Sequence, residues 1–583
     1  MSKELLSGNE AIARGAWESG VKVAAAYPGT PSTEILENIS KYQEIDSQWS
    51  PNEKVALEVA IGSSVAGARS LAAMKMVGLN VAADPLMTLA YTGVNAGLVI
   101  VSADDPGIHS SQNEQDNRFY GRFARIPVLE PSDSQEAKDY VGIALNLSEA
   151  LDTVVLLRTT TRISHSKSLV EIGERQSRGL KAYKKDPSKY IMVPGYARLR
   201  QPEVLARFER IQEWTESASI NHIEWGDRTI GIITSGVCYQ YVKEACPGAS
   251  VLKLGVTYPL PLRLVRKFAS EVEHVIVVEE LEPFLMELVQ LSGVKLHPIN
   301  LPRIGELTPK MVRHAVESAF DDEEQSIDSV PSPDVPSRPP VLCPGCPHRG
   351  VFHIFHKLRL TVSGDIGCYT LGALPPLNGM DIFMDMGASI GMAHGIEKAN
   401  PERVTKTVAV IGDSTFLHSG MTGLLDMIYN KSKGTVVILD NGTTAMTGHQ
   451  DHPGTGKMLS GEETVTADLE MICRSLGARR VRVVDPLDVN ELESALKEEL
   501  NAPEVSVIIA RRPCALIVKS DEPSMECDEE LCKGCGICIK LGCPAMHLND
   551  GVVEVDPALC TGCALCAGVC PFGALSHKEE KDA

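Results

Sequence analysis

The sequence predicts a multidomain α/β chain in which doubly wound parallel sheets are followed by a small α+β module rich in cysteine. Three observations carry this. Apolar β-type runs alternate with helix-length segments across 1–165, 220–320 and 341–520, the rhythm of repeated βαβ units. The stretch from Thr407 to Gly448 contains two such runs, each closed by a short turn of Gly, Asp, Asn, Ser and Thr. Nine of the sixteen cysteines fall after Met525, mostly in C-x-x-C groups.

At 583 residues the chain exceeds one hydrophobic core, and an apolar content of 43% supports several packed domains. A formal net charge of −20 argues against nucleic acid or an anionic membrane surface as the main partner. The opening MSKELLSGNEA has no basic-then-apolar leader, and no segment approaches ~20 continuous apolar residues. These features predict a soluble cytoplasmic protein. In that setting clustered cysteines point to metal rather than disulfides.

Residues 1–165 form the first predicted α/β domain. Ser7-Gly8-Asn9-Glu10 reads as a capping box before an amphipathic helix. Val21 to Tyr27 is a strand ending in Pro28-Gly29-Thr30-Pro31, with Thr30 as N-cap and Pro31 at the first helical position. Free N–H groups at such a start suit a carboxylate or phosphate, although many helices with this opening bind nothing. Glu53 begins a helix of small residues, where a carboxylate also serves simply as a dipole partner. The polar run from His109 to Arg125 reads either as an anion-handling loop or as a solvated connector.

A charged connector, 166–219, precedes a second βα series at 220–320. Its strands are expected at Thr229 to Ile233, Val251 to Leu254, His274 to Val278 and Leu296 to Ile299. With no catalytic constellation in it, this domain is assigned a structural or subunit-contact role. Residues 321–340, acidic and then rich in Pro and Ser, read as a linker.

In 341–520 the two apolar runs of the Thr407–Gly448 stretch predict adjacent parallel strands. Their turns would bring Asp413 and Asn441 to one carboxyl edge, beside Gly412, Ser414 and Thr443. A carboxylate, an amide oxygen and a backbone carbonyl suit Mg²⁺ holding a diphosphate. An ordinary βαβ unit has similar turns, and spacing alone leaves both readings open. Gly387 opens a further small-residue helix.

The module at 521–583 contains Cys532-x2-Cys535-x2-Cys538-x4-Cys543-Pro544 and Cys560-x2-Cys563-x2-Cys566-x3-Cys570-Pro571. In doubled runs of this type three thiolates come from one run and the fourth from the other. One 4Fe-4S cluster is thus expected on Cys532, Cys535, Cys538 and Cys570, and a second on Cys560, Cys563, Cys566 and Cys543. Zinc ribbons use paired rather than tripled C-x-x-C spacing. Cys527 lies outside the pattern and reads as a plain thiol.

The whole chain resembles the thiamine-diphosphate-dependent 2-oxoacid:ferredoxin oxidoreductases, and within them the large (alpha) subunits acting on aryl 2-oxoacids such as indolepyruvate. The resemblance rests on YPGTPSTE (27–34), NEKVALEVAIGSSVAGAR (52–69), CPGCPHR (343–349), GDS (412–414), DNGTTAMTG (440–448) and the C-terminal cysteine runs. It implies two thiamine-diphosphate-binding domains, one for the pyrimidine (1–165) and one for the diphosphate and Mg²⁺ (341–520), plus a bacterial-type ferredoxin domain (521–583). By position it implies that Glu53 activates the aminopyrimidine, that Thr30 meets the substrate carboxylate, and that Asp413, Asn441 and the carbonyl of Thr443 bind Mg²⁺. Ser414 stands where many thiamine enzymes have glycine. Cys343, Cys346, Cys368 and Cys514 match four ligands of a third cluster in several relatives, the alternative being buried thiols.

The implied partners are a smaller beta subunit, ferredoxin, coenzyme A and the 2-oxoacid, with alpha chains paired across the pyrimidine and diphosphate sides. Arg118, Arg122 and Arg125 are further candidates for a carboxylate contact, and His348, His394, His449 and His452 for proton relay. A different 2-oxoacid, or a non-catalytic electron-transfer role, is the alternative.

Overall fold

The computed structural model describes residues 2–320, 339–518 and 520–578, so most of the expected linker lies outside the described residues. Its contacts divide into two compact units, 1–332 and 333–583. Among the described residues no helix is long and apolar enough to cross a membrane.

In the first unit a seven-stranded sheet runs in the spatial order Val256–Tyr258, Val128–Leu129, Val155–Thr160, Leu98–Asp104, Ser70–Lys75, Val23–Ala26 and Asp46–Trp49. Every neighbouring pair is parallel except the first, which is antiparallel. Strands buried on both faces read as continuous apolar runs, and Leu98–Asp104 is buried at every residue. Gly8–Glu18 begins with the expected capping box, Ser7 and Glu10 each accepting from the other's backbone N–H.

A second sheet in this unit has the order His274–Val278, Asp227–Ser235, Ala249–Leu254, His222–Glu224. The expected strand Leu296 to Ile299 does not form. His297 donates one backbone bond to Val275, at 2.7 Å, and the segment makes no ladder. An apolar run lining a sheet edge needs only burial to look like a strand, not pairing.

The second unit is built on a parallel five-stranded sheet in the order Thr361–Ser363, Thr407–Gly412, Thr435–Asp440, Ser506–Arg511, Arg480–Val484. Two antiparallel hairpin-like pairs, Met525–Cys527 with Leu575–His577 and Met546–Asn549 with Val552–Val555, frame the C-terminal cysteines. Those cysteines pack into the same apolar core as Phe352, Phe355 and Val410 of the sheet region.

Candidate functional site

Thr407–Gly412 and Thr435–Asp440 are adjacent and parallel, in register from Val408–Thr435 to Gly412–Leu439. Asp413 and Asn441 therefore leave the same carboxyl edge, both buried. Asp413 accepts from Ser414 N–H at 2.8 Å with one oxygen and from Gly442 N–H at 2.9 Å with the other. The second bond joins the two turns directly. Asn441 Oδ1 faces Thr443 N–H at 3.3 Å. A carboxylate, an amide oxygen and the carbonyls of a buried turn form a hard-oxygen donor set, which fits Mg²⁺ by its chemistry.

Ser414 is accommodated without strain. It lies within the helical turn Asp413–Thr415, where no positive φ is required, and its hydroxyl accepts from Thr444 Oγ1 at 2.8 Å. Gly387, by contrast, sits at φ +97°, and a Cβ there would come within 2.2 Å of Ser419 Oγ. The residue holding that turn, Asp365, belongs to no motif in the sequence. Fully buried, it accepts from Gly387 N–H at 2.8 Å, Ile366 N–H at 2.9 Å and Ser389 N–H at 3.1 Å. Burial pushes its carboxyl up to about 6 despite these bonds.

The CPGCPHR loop and the ferredoxin-type module are joined by Arg349. Its buried guanidinium donates to the carbonyls of Leu342 and Cys343 on one side, and of Leu541 and Gly542 on the other. Cys543, Cys560, Cys563 and Cys566 line one cavity, with Cys346 at its wall. These first four are the thiols expected to share one cluster. Backbone N–H groups aim at sulfur at both ends of the second run, Met525 at Cys560 (3.3 Å) and Ala574 at Cys570 (3.4 Å), as suits thiolate ligands.

Cys538 feels both Cys570 and Cys535, which brings three of the expected set together, and Cys527 feels both Cys532, the fourth, and Cys538. Cys368 feels both Cys343 and Cys514, and Cys346 feels Cys343 and Cys368. Burial pushes Cys346 and Cys566 up to about 12, so ligation there must expel a proton. Among the described residues no three His, Cys, Asp or Glu side chains stand close enough to hold a single metal ion. A cluster core spans more space than one ion, so its thiols stand further apart than the ligands of a single metal. Cys527 is not an isolated thiol: it forms a side-chain hydrogen bond with Cys532.

The third cysteine set touches the Asp413–Asn441 turns. Cys514 N–H donates to the carbonyl of Asn441 at 3.0 Å, and Thr415 Oγ1 donates to the carbonyl of Ile366, two residues before Cys368, at 3.0 Å. His449 lies 3.8 Å from Cys514 Sγ. His452 turns Nε2 to within 3.4 Å of Asp413 Oδ2, while its Nδ1 accepts from Gly454 N–H at 3.1 Å. A neutral ring there carries its proton on Nε2. His348 is buried beside Tyr369, and burial lowers it to about 4, so it is uncharged at neutral pH. His394 stands apart, next to Glu397.

In the first unit Glu53 is buried at the N-terminus of Glu53–Val65, which is capped by Asn52 accepting from Val55 N–H at 2.9 Å. Gly78 packs against the Glu53 carboxylate. The helix expected to start at Pro31 starts instead at Thr33. Ser32 N–H and Oγ both bond the Gly29 carbonyl at 2.8 Å, and Thr33 Oγ1 accepts from Gly29 N–H at 3.0 Å. Thr30 and Pro31 thus form the turn rather than the first helical residues.

Arg118 is corrected as a substrate contact. It is fully buried and donates to Asp116 and, at 2.8 Å, to Glu279. A guanidinium so engaged has no fork left for a ligand. Arg122 faces Glu287 at 3.7 Å, and Arg125 ends its helix in the left-handed conformation.

Residues 14–222 match the family described as pyruvate flavodoxin/ferredoxin oxidoreductase, thiamine diP-binding. Residues 365–510 match the thiamine pyrophosphate enzyme C-terminal TPP-binding domain, and 553–576 a 4Fe-4S binding domain. The chain is 43% identical to indolepyruvate oxidoreductase subunit IorA of Pyrococcus horikoshii, across 99% of this chain and 97% of that one. It is 41% identical to the protein of the same name from Archaeoglobus fulgidus, across 98% and 97%. A solved 2-oxoglutarate:ferredoxin oxidoreductase from Magnetococcus marinus is similar over 55% of this chain and 65% of its own, with 18% identity and a TM-score of 0.47. With full-length identity of this order, and thiamine-type and 4Fe-4S segments in the same chain, the protein belongs to the indolepyruvate oxidoreductase IorA family of thiamine-dependent 2-oxoacid:ferredoxin oxidoreductases.

Proposed function

We propose that this chain is the catalytic subunit for oxidative decarboxylation of aryl 2-oxoacids, converting indolepyruvate, coenzyme A and oxidised ferredoxin to indoleacetyl-CoA, CO2 and reduced ferredoxin. The observation that carries the reading is the bond from Cys514 N–H to the Asn441 carbonyl, which makes the diphosphate-type turn and a cysteine loop one packed structure. An ordinary βαβ unit has no reason to be tied to thiols.

Thiamine diphosphate, when bound, supplies the carbon nucleophile for the oxo group and the store for the electron pair left as CO2 departs. Asp413, Asn441 and the carbonyl of Thr443 would hold Mg²⁺, which would anchor the diphosphate, on the turn that Gly412, Ser414 and Gly387 shape. Glu53 exchanges a proton with the aminopyrimidine, and Thr30 orients the substrate carboxylate. The 1–165 and 341–520 segments serve the pyrimidine and diphosphate ends of the cofactor.

Cys560, Cys563, Cys566 and Cys543 would hold one cluster and Cys532, Cys535, Cys538 and Cys570 another, which would supply one-electron acceptors. Cys343, Cys346, Cys368 and Cys514 hold a third, nearest Asp413. Cys535 is the exposed cysteine of the chain, which suits an exit to ferredoxin. A smaller beta subunit completes the enzyme, alpha chains pair across the two cofactor ends, and the assembly works in the cytoplasm.

Glu53→Gln tests the reading in protein co-expressed with its partner subunit. Cluster absorbance is expected to be unchanged while 2-oxoacid-dependent dye reduction falls by at least about a hundredfold. Retained activity would remove Glu53 from the chemistry. Iron analysis decides the third cluster: twelve irons per chain are expected, on the order of four per cluster, and eight in a competent enzyme would sink it.

A further inference from the structure

Lys75 was not singled out by any motif, yet it occupies the centre of the cofactor-facing edge of the first unit. It ends the strand Ser70–Lys75, which lies between Val23–Ala26, leading to the Thr30 turn, and Leu98–Asp104, leading to Asp105. Its stem crosses Gly29: a Cβ at that position would stand 3.0 Å from Lys75 Cγ. The ammonium donates to the carbonyl of Ser110 at 2.9 Å, and Ser110 Oγ in turn donates to the carbonyl of Thr30 at 3.1 Å. One peptide thus fixes Lys75 relative to Thr30.

An ammonium has three donors, and only this one is engaged among the described residues. Asp105 and Glu53 lie near enough to favour its charged form, but neither pairs with it within 4 Å, and burial works against the charge. Two of the other cations considered for this edge are committed elsewhere, Arg118 to Asp116 and Glu279, and Arg122 to Glu287. A half-buried cation with spare donors, beside the glutamate that handles the cofactor and tied to the threonine turn, is built for an anionic ligand.

We infer that Lys75 is the cation that binds the carboxylate of the 2-oxoacid, opposite Thr30. This rests on the proposed reaction and adds the charge that Thr30 alone lacks. The hydroxyl orients the carboxylate; the ammonium supplies the attraction that selects an acid over a neutral ketone.

The test uses the assembled enzyme with thiamine diphosphate and Mg²⁺, comparing wild type, Lys75→Met and Lys75→Arg. Equilibrium binding of indolelactate, the unreactive 2-hydroxy acid, is measured beside that of its uncharged methyl ester. Lys75→Met is expected to weaken the acid by roughly 10- to 100-fold and to leave the ester and the affinity for thiamine diphosphate unchanged. KM for indolepyruvate should rise by a similar factor with kcat altered only a few-fold, and Lys75→Arg should recover most of the loss. Equal binding of the acid by wild type and Lys75→Met would overturn the inference. So would a parallel loss of thiamine diphosphate, which would make Lys75 a cofactor-site residue instead. If wild type prefers pyruvate or a branched-chain 2-oxoacid, the aryl substrate reading fails while the same comparison with lactate or 2-hydroxyisovalerate still decides Lys75. If wild type handles no 2-oxoacid, both fall.

Discussion

Two buried guanidiniums divide the molecule's polar interior into different kinds of structure. Arg118, in the first unit, is enclosed by carboxylates: Asp116, Glu279 and Glu130 lie within ion-pair range, and Arg158 nearby is held by Asp104 and Glu130. Arg349, in the second unit, is as deeply buried but bonds only backbone carbonyls, and the acidic groups around it are the thiols Cys543, Cys346, Cys343 and Cys563. Carboxylates raise Arg118 well above the ordinary arginine value, whereas burial holds Arg349 below it. The first network has its counter-charges in place when the chain folds, with carboxylates already around both guanidiniums. The second would gain its counter-charges only when the thiols release their protons to solvent and bind iron as thiolates.

Arg118→Met should break the first network, leaving Glu279 buried without a counter-ion and Asp116 with only Arg158, 3.9 Å away, at a cost of roughly 3–5 kcal/mol. The urea midpoint of the chain should fall accordingly, and a loss below about 1 kcal/mol would mean the acids had simply taken up protons.

Glu280 gives the next largest effect. Burial pushes it up to about 7 from 4.5. The folded chain therefore holds a proton that the unfolded chain releases near 4.5, so this contribution is present below 4.5 and is lost as pH rises through about 7. The span is on the order of 3 kcal/mol. Glu280→Gln stays neutral throughout and should flatten the stability profile between these limits, as urea titrations at several pH values would reveal. An unchanged slope would assign the pH dependence to Asp104, which burial also raises, to about 6.

Arg349→Met should have the smallest effect on the iron-free chain, about 1–3 kcal/mol from the carbonyls it strands. The sharper consequence is on loading: iron retained per chain after reconstitution should drop, and the stabilisation conferred by iron should shrink. Equal iron content in variant and wild type would mean that Arg349 is only a brace between loops.

The same contrast explains what the amino-acid sequence discloses. The Asp413–Asn441 turns and the cysteine runs depend on residues close together in the chain or on fixed spacings, so their strands, neighbours and thiol groupings are legible. Arg118 reads as a loop cation because, beyond neighbouring Asp116, its partners Glu279 and Glu280 lie more than a hundred residues away, just past the strand His274–Val278. Thr-Pro-Ser-Thr at 30–33 offers three capping residues in succession, and only the bonds to Gly29 decide that Thr33 begins the helix. Lys75 carries no motif; it gains meaning from the strand order that sets it between two turns. Asp365 likewise becomes visible only when Gly387 and Ser389, over twenty residues onward, come back to it.

Gly78 extends the account from chemistry to heredity. A Cβ at this position would stand 2.6 Å from Glu53 Oε1 and 2.8 Å from its Cγ. Any missense change in that codon therefore displaces the Glu53 carboxylate, to which we assign the proton handling, while the surrounding helix, only six residues long, can still form. In a saturation library, position 78 should tolerate synonymous changes alone, and its inactive variants should accumulate as folded, iron-loaded protein.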